Sequence, residues 1–263
     1  EDVFIVQSTN APSENIIELA LILDAARRAS ANKVIAVIPY FGYGRQDRKH
    51  APRVPISARM ILDMITIAGV DRIITMDLHS AQIQGFANVP FDHLYSRIAL
   101  LDRLRDLGLN SDTGVVLAPD MGSAKMSQSY ASKIGVGFAL IDKRRPKPNE
   151  AKVANLVGDL EDKHVLIIDD MVDTAGTICN AAEVAMERGA KSVICIATHA
   201  VLSGNAIQRL TDSAIEKVIL TDTIELPESK RFDKLEIISV GGVFGESIKR
   251  INSGQSLSTM FRL

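Results

Sequence analysis

Short, nearly unbroken apolar runs alternate along the chain with longer stretches in which apolar residues recur at helical spacing. Residues 3–7, 33–39, 72–77, 114–118, 137–142, 164–169, 192–197, 217–221 and 235–240 are predicted strands. They are rich in Val and Ile and hold few polar positions, as expected of parallel strands covered on both faces. Residues 14–30, 55–68, 94–107, 127–134 and 178–188 are predicted helices, and the last four run into Gly69, Gly108, Gly135 and Gly189. A glycine just past the last periodic position accepts the left-handed conformation that closes a helix. Regular alternation of strand and helix predicts an α/β fold with mainly parallel sheets flanked by helices. A boundary is expected at 95–100, after a loop over 82–93, although no linker composition marks it. The expected domains are 1–96 and 97–251, with 252–263 returning to the first.

Composition narrows the functional classes. Of 263 residues, 46% are hydrophobic and 24% charged, with 30 basic against 32 acidic side chains and a net charge of -2. Such a balance supplies no general field for a polyanion, so no nucleic-acid partner is expected. No apolar run approaches the roughly 20 residues of a membrane span, and no basic segment followed by a long apolar one opens the chain. Cys179 and Cys195, the only cysteines, sit in apolar surroundings without metal-ligand spacing. Reduced core thiols in a cytoplasmic protein are the expectation.

Ligands of open α/β sheets bind beyond the carboxyl ends of the strands, which directs attention to the loops there. The segment from His164 runs through an apolar strand into Asp169 and Asp170, and then into Asp173-Thr174-Ala175-Gly176-Thr177 ahead of a predicted helix. Backbone N–H groups and hydroxyls meeting the positive end of a helix form an anion cradle. Two carboxylates beside it suit vicinal hydroxyls or a magnesium-bound ligand, so a sugar phosphate satisfies both halves. The competing reading is that Asp173 or Thr174 caps the helix and the acid pair lies in a solvated turn. Lys143, Arg144 and Arg145 follow a predicted strand and precede Pro146, forming a basic loop suited to closing over phosphate or simply solvated. No Walker A, GxSxG, HExxH or zinc pattern occurs.

The Asp169–Thr177 segment resembles the phosphoribosyl-diphosphate loop of the type I phosphoribosyltransferases. Four further segments carry the resemblance to the ribose-phosphate diphosphokinase family within that superfamily: Ile38 to Lys49, Thr75 to Phe86, Ile141 to Pro146 and Thr198 to Gly204. The resemblance implies two phosphoribosyltransferase-like domains and transfer of diphosphate from ATP to O1 of ribose 5-phosphate, giving phosphoribosyl diphosphate and AMP with Mg²⁺ required. It implies that Lys143 and Arg145 are catalytic, and that Arg45 and Gln46 bind ATP. Arg145, Asp169, Asp170, Asp173, Thr174, Ala175, Gly176 and Thr177 bind ribose 5-phosphate on the same grounds, and His79 and Asp120 bind the metal. It further implies a homo-oligomer, a hexamer in the family, with phosphate and ADP as regulators at Arg28, Ser256, Ser258 and Phe261. Two other functions remain: a phosphoribosyltransferase using the same sugar-phosphate loop, and a non-catalytic subunit that regulates an active enzyme.

The sequence departs from the family pattern at three places. Ser123 replaces the second glycine of a PDxGG stretch that begins at Pro119, a strained position if its φ is positive. Met126 stands where an arginine is expected, with Lys125 as a partial substitute. An upstream Phe-x-Asp-Gly-Glu segment, which in the family walls the adenine pocket of a neighbouring subunit, does not precede Val3, so a longer natural N-terminus is the expectation.

Overall fold

The computed structural model describes residues 1–144 and 153–261. They form two compact units, Glu1–Ile98 with Val240–Leu263, and Ala99–Ser239.

The first unit is built on four parallel strands, β1 (Asp2–Val6), β2 (Lys33–Ile38), β3 (Arg72–Met76) and β4 (Phe91–Leu94), lying side by side in chain order. Helix α1 (Glu14–Arg28) buries Ile16, Leu19 and Leu23, spaced three and four apart on one face, and α2 (Ser57–Ile67) buries Ile61, Leu62 and Ile65. These join Val34, Ala36, Ile38 and Ile73 of the sheet in one apolar core. Strand β4 takes up the end of the segment expected to be a loop and the first residue of the helix expected after it. Its four residues, Phe-Asp-His-Leu, carry no apolar run, and its Asp92 is held by Arg72 of β3 at 2.5 and 3.0 Å. Because Leu94 ends that strand, the helix expected from 94 starts at Arg97.

The second unit takes in α3 (Arg97–Arg105) from its third residue onward, then β5 (Gly114–Ala118), α4 (Ala124–Ile134), β6 (Gly137–Arg144) and β7 (Val153–Val157). These are followed by β8 (His164–Val172), α5 (Gly176–Glu187), β9 (Ser192–Ala200), α6 (Ala206–Asp212), β10 (Ile215–Thr221) and β11 (Leu235–Ile238). The sheet order is β11-β10-β9-β8-β5-β6-β7, parallel except for the β6–β7 pair. Successive residues of its central strands serve opposite faces. Val115, Leu117, Val165 and Ile167 pack with Ile178, Ala181 and Ala185 of α5. Val116, Leu166 and Ile168 pack with Leu101 and Leu104 of α3 and Tyr130 of α4. Gly135 closes α4 at φ 74°, where a Cβ would be strained. Both cysteines are buried and unbridged, and burial pushes the Cys195 thiol strongly up. That makes it inert as a nucleophile.

The sequence pattern missed β7, α6 and α7 (Gly241–Asn252), the last of which belongs to the first unit. Glycines at 241, 242 and 245 lower the intrinsic helix propensity of α7, and the burial of Val243, Phe244 and Ser247 outweighs it. Among the described residues no helix is long and apolar enough to cross a membrane.

Candidate sugar-phosphate site

Strand β8 runs three residues further than expected, because β9 continues beside it to Ala200 with Asp169 opposite Ala197 and Val172 opposite Ala200. Asp169 and Asp170 therefore belong to a paired strand, not to a solvated turn. Asp169 Oδ1 accepts the Asp170 N–H at 3.0 Å. Burial, then the neighbouring charge of Asp170 and, more weakly, that of Asp120, push the Asp169 carboxyl up to about 8. Mutual repulsion of this kind is relieved by a proton, a cation or hydroxyl donors.

The chain then turns through Asp173 to Ala175 and enters α5 at Gly176. The N-cap position is held by Ala175 in the left-handed region, φ 62° and ψ -1°, with no side-chain cap bond. The capping role weighed for Asp173 and Thr174 is thus not taken by either. Asp173 is instead fixed from the loop after β9: its Oδ1 accepts the Ser203 hydroxyl, and its carbonyl accepts the Ser203 N–H at 3.0 Å. Arg209 of α6 donates Nη1 to the Thr174 carbonyl at 2.9 Å. Thr174 and Thr177 are exposed, Ala175 buried and Gly176 half-buried. The result is a rigid turn with its hydroxyls and first-turn amides available to an anion. Neither Ser203 as a clamp nor Arg209 was singled out from sequence. Ser203 lies inside the 198–204 motif, but α6 spans only seven residues and leaves no periodic signal for Arg209.

Asp120 follows β5 and organises its own turn, its Oδ1 accepting the N–H groups of Gly122 at 2.9 Å and Ser123 at 3.2 Å. Ser123 has φ -87°, so the expected strain is absent. Its hydroxyl donates to the Asp120 carbonyl at 3.2 Å, a bond glycine lacks. Met126 packs against the apolar core and Lys125 is exposed. In the first unit His79 is exposed in the loop after β3. That loop is anchored where the buried Asp77 accepts the Ser96 N–H at 3.0 Å and the His93 Nε2 accepts the Leu78 N–H at 2.9 Å. Among the described residues no group of three or more His, Cys, Asp and Glu side chains is arranged to hold a metal by itself. The crowded carboxylates of β8 supply the oxygen chemistry that a hard divalent cation prefers.

Arg45 and Gln46 lie exposed between β2 and α2. Gly42 approaches Thr9 so closely that a Cβ would stand 2.0 Å from the Thr9 carbonyl oxygen, and its N–H donates to the Thr9 hydroxyl at 2.7 Å. The Gln46 carbonyl accepts the Ala58 N–H at 3.2 Å, and its Oε1 accepts the Ser57 hydroxyl. Lys143 and Arg144 are not in a loop, as expected, but are the last residues of β6, paired with Ala154 and Val153 of the antiparallel β7. Arg145 and Pro146 lie outside the described residues. Ser256 and Ser258 line a cavity of about 340 Å³ with Arg72, Asp92 and Gln255. Phe261 stands edge-on to Tyr95 at 5.7 Å. Arg28 is engaged by Asp24 at 2.7 Å on its own helix.

Comparison with known proteins adds an independent line. Residues 1–69 match the family model described as the N-terminal domain of ribose phosphate pyrophosphokinase, and residues 144–262 that of the phosphoribosyl synthetase-associated domain. The chain is 49% identical over 260 residues to a ribose-phosphate pyrophosphokinase of Chlorobaculum tepidum, covering 99% of this chain and 80% of that one. It is 47% identical to that of Fusobacterium nucleatum, covering 99% and 83%. A crystal structure of phosphoribosylpyrophosphate synthetase from Mycobacterium smegmatis superposes with a TM-score of 0.89 at 38% identity, over 96% of this chain and 83% of that one. With near-complete coverage at nearly half identity, the chain belongs to the ribose-phosphate pyrophosphokinase family.

Proposed function

We propose that the protein transfers diphosphate from ATP to O1 of ribose 5-phosphate, producing 5-phosphoribosyl 1-diphosphate and AMP for nucleotide biosynthesis. The observation that carries this reading is the turn at the head of α5, a cap-free helix start beside two crowded carboxylates, in a chain of this family. The 5-phosphate sits on the amides and hydroxyls of Thr174 to Thr177. Asp169 and Asp170 accept from the ribose hydroxyls. The sugar O1 is the nucleophile, and Lys143 and Arg145 meet charge on the moving diphosphate, since such transfers ask mainly for positioning and cations. Arg45 and Gln46 hold the adenine of ATP. Magnesium, when bound, supplies charge neutralisation on the ATP phosphate oxygens, and His79 and Asp120 are the residues to hold it.

Phosphate and ADP act as regulators through Ser256, Ser258, Phe261 and Arg28. The cavity lined by the two serines supports that site, whereas the engagement of Arg28 with Asp24 implies a change of partner before Arg28 meets an anion. Exposed Ile17 and Leu21 on α1 and Met60 and Ile67 on α2 support assembly into a homo-oligomer, and the unbridged cysteines support a cytoplasmic setting. The test is AMP formation from ATP with and without ribose 5-phosphate. AMP that appears only with the sugar phosphate and Mg²⁺ is expected. Diphosphate release that needs a purine or pyrimidine base would favour a transferase instead.

A further inference from the structure

The turn assigned to the ribose phosphate contains a backbone conformation that an L-residue adopts reluctantly. Asn and Asp tolerate φ near +60° through local side-chain hydrogen bonds, and glycine through its missing Cβ. Ala175, at φ 62°, has neither device and is buried. Its conformation must be imposed from outside the turn.

Two contacts impose it. Ser203 grips Asp173 through its hydroxyl and its N–H, fixing the entry to the turn. Arg209 holds the Thr174 carbonyl at 2.9 Å. That carbonyl belongs to the peptide unit that precedes Ala175, and in a trans peptide the C=O and N–H point in opposite directions. Pinning the oxygen toward α6 therefore aims the Ala175 N–H away from Arg209 and resists the peptide flip by which Ala175 would escape its strain. The same Nη1 stands 3.5 Å from where a Cβ on Gly176 would be, so the guanidinium spans the step from the turn into the helix.

We infer that Arg209 is a positioning residue for sugar-phosphate binding: it locks the peptide between Thr174 and Ala175 so that the turn presents its amides to the phosphate, without itself touching the ligand. This inference rests on the reading of the turn as the ribose 5-phosphate site.

The experiment measures KM for ribose 5-phosphate and for ATP in Arg209→Met, Ala175→Gly/Arg209→Met and Thr177→Val, with thermal melts to establish folding. Arg209 is exposed on a short helix, so its replacement is compatible with folding. Arg209→Met is expected to raise KM for ribose 5-phosphate about tenfold, the scale of one charged hydrogen bond, and to change KM for ATP by less than about twofold. Adding Ala175→Gly is expected to recover most of the loss, because glycine holds φ 62° without being forced. Loss without recovery, growing weaker with added salt, would make Arg209 a direct phosphate ligand and overturn the positioning role. An unchanged KM in Arg209→Met alongside a raised one in Thr177→Val would overturn the inference and leave the site standing. Unchanged values in both would overturn the site. If Arg209→Met does not fold, Arg209→Lys gives the same reading with one donor in place of the fork: recovery of KM by Ala175→Gly supports the lock, and its failure overturns it.

Discussion

The turn at 173–177 and the segment at 42–46 are held in opposite ways. The first is tied down by side chains from another part of its unit, Ser203 and Arg209, carries the left-handed Ala175, and follows a strand on which the Asp169 carboxyl is repelled by Asp170. The second is anchored through its backbone at Thr9 and Ala58, and puts Arg45 and Gln46 out on the surface. Gln46 has its functional end braced by Ser57. A turn that stores strain and repulsion gains when a ligand relieves them, so it discriminates by shape and charge. A segment of exposed side chains discriminates by the few hydrogen bonds those side chains make.

The sharpest way to separate either loop from the chemistry is to remove the cations that belong to neither. Lys143→Ala and Arg145→Ala are each expected to lower kcat by about 10² to 10³, the usual loss for one preorganised donor to a transition state, and to affect KM for ribose 5-phosphate far less. Steady-state kinetics on both substrates check this, and a near-normal kcat in both variants would remove them from the mechanism. Next in size, Thr177→Val should weaken ribose 5-phosphate about tenfold in a calorimetric titration while ATP binding holds, since it deletes one donor to a charged group. Smaller still, Gln46→Ala should raise KM for ATP by about fivefold and shrink the preference for ATP over GTP, with ribose 5-phosphate untouched. A change of similar size for both substrates in either variant would dissolve the contrast between the two regions.

The last of the expected effects is on stability, which neither loop's binding kinetics reports. Asp169 is raised from its ordinary value of 3.8 to about 8 in the folded chain, with burial as the first cause and Asp170 the second. The folded state therefore holds a proton that the unfolded state has already lost between those values, and stability from this group falls as pH rises across that window. Asp169→Asn should raise the melting temperature at pH 8 and leave it nearly unchanged near pH 3, where both states are largely protonated. A melting curve shifted equally at both pH values would assign the effect to packing instead.

Most of this architecture is legible in the sequence wherever burial is symmetrical. Strands β5 and β8 are covered on both faces, and unbroken runs such as Val-Val-Leu-Ala and Val-Leu-Ile-Ile announce them. Strand β4 is an edge whose Asp92 answers Arg72, a pairing across twenty positions that no local window contains. The ends of β6 and β8 were placed short for a related reason. Charged residues read as loop, yet Lys143, Arg144 and Asp170 stay within their strands because the neighbours β7 and β9 run on. The cradle at 173–177 was visible as composition. Its clamps were not, since Ser203 and Arg209 come from the segment after the neighbouring strand β9, some thirty residues on, and no local window joins them to the turn. Ser123 shows the converse: a substitution that reads as strain is accommodated at an ordinary φ and adds a bond.

The elevated carboxyl of Asp169 also alters what a binding measurement counts. A free protein near neutral pH holds a proton there, whereas sugar hydroxyls and any cation bound beside them favour the charged form. Ligand uptake then discharges hydrogen ions into the buffer, and the heat observed depends on the buffer's own ionisation enthalpy. Titrations in Tris and in a phosphate-free buffer of lower ionisation enthalpy would differ in heat by the number released times the difference between those enthalpies, and the apparent affinity would climb with pH until it levels near 8. The site is in this sense a proton exchanger, trading one small cation for the ligand it was built to receive.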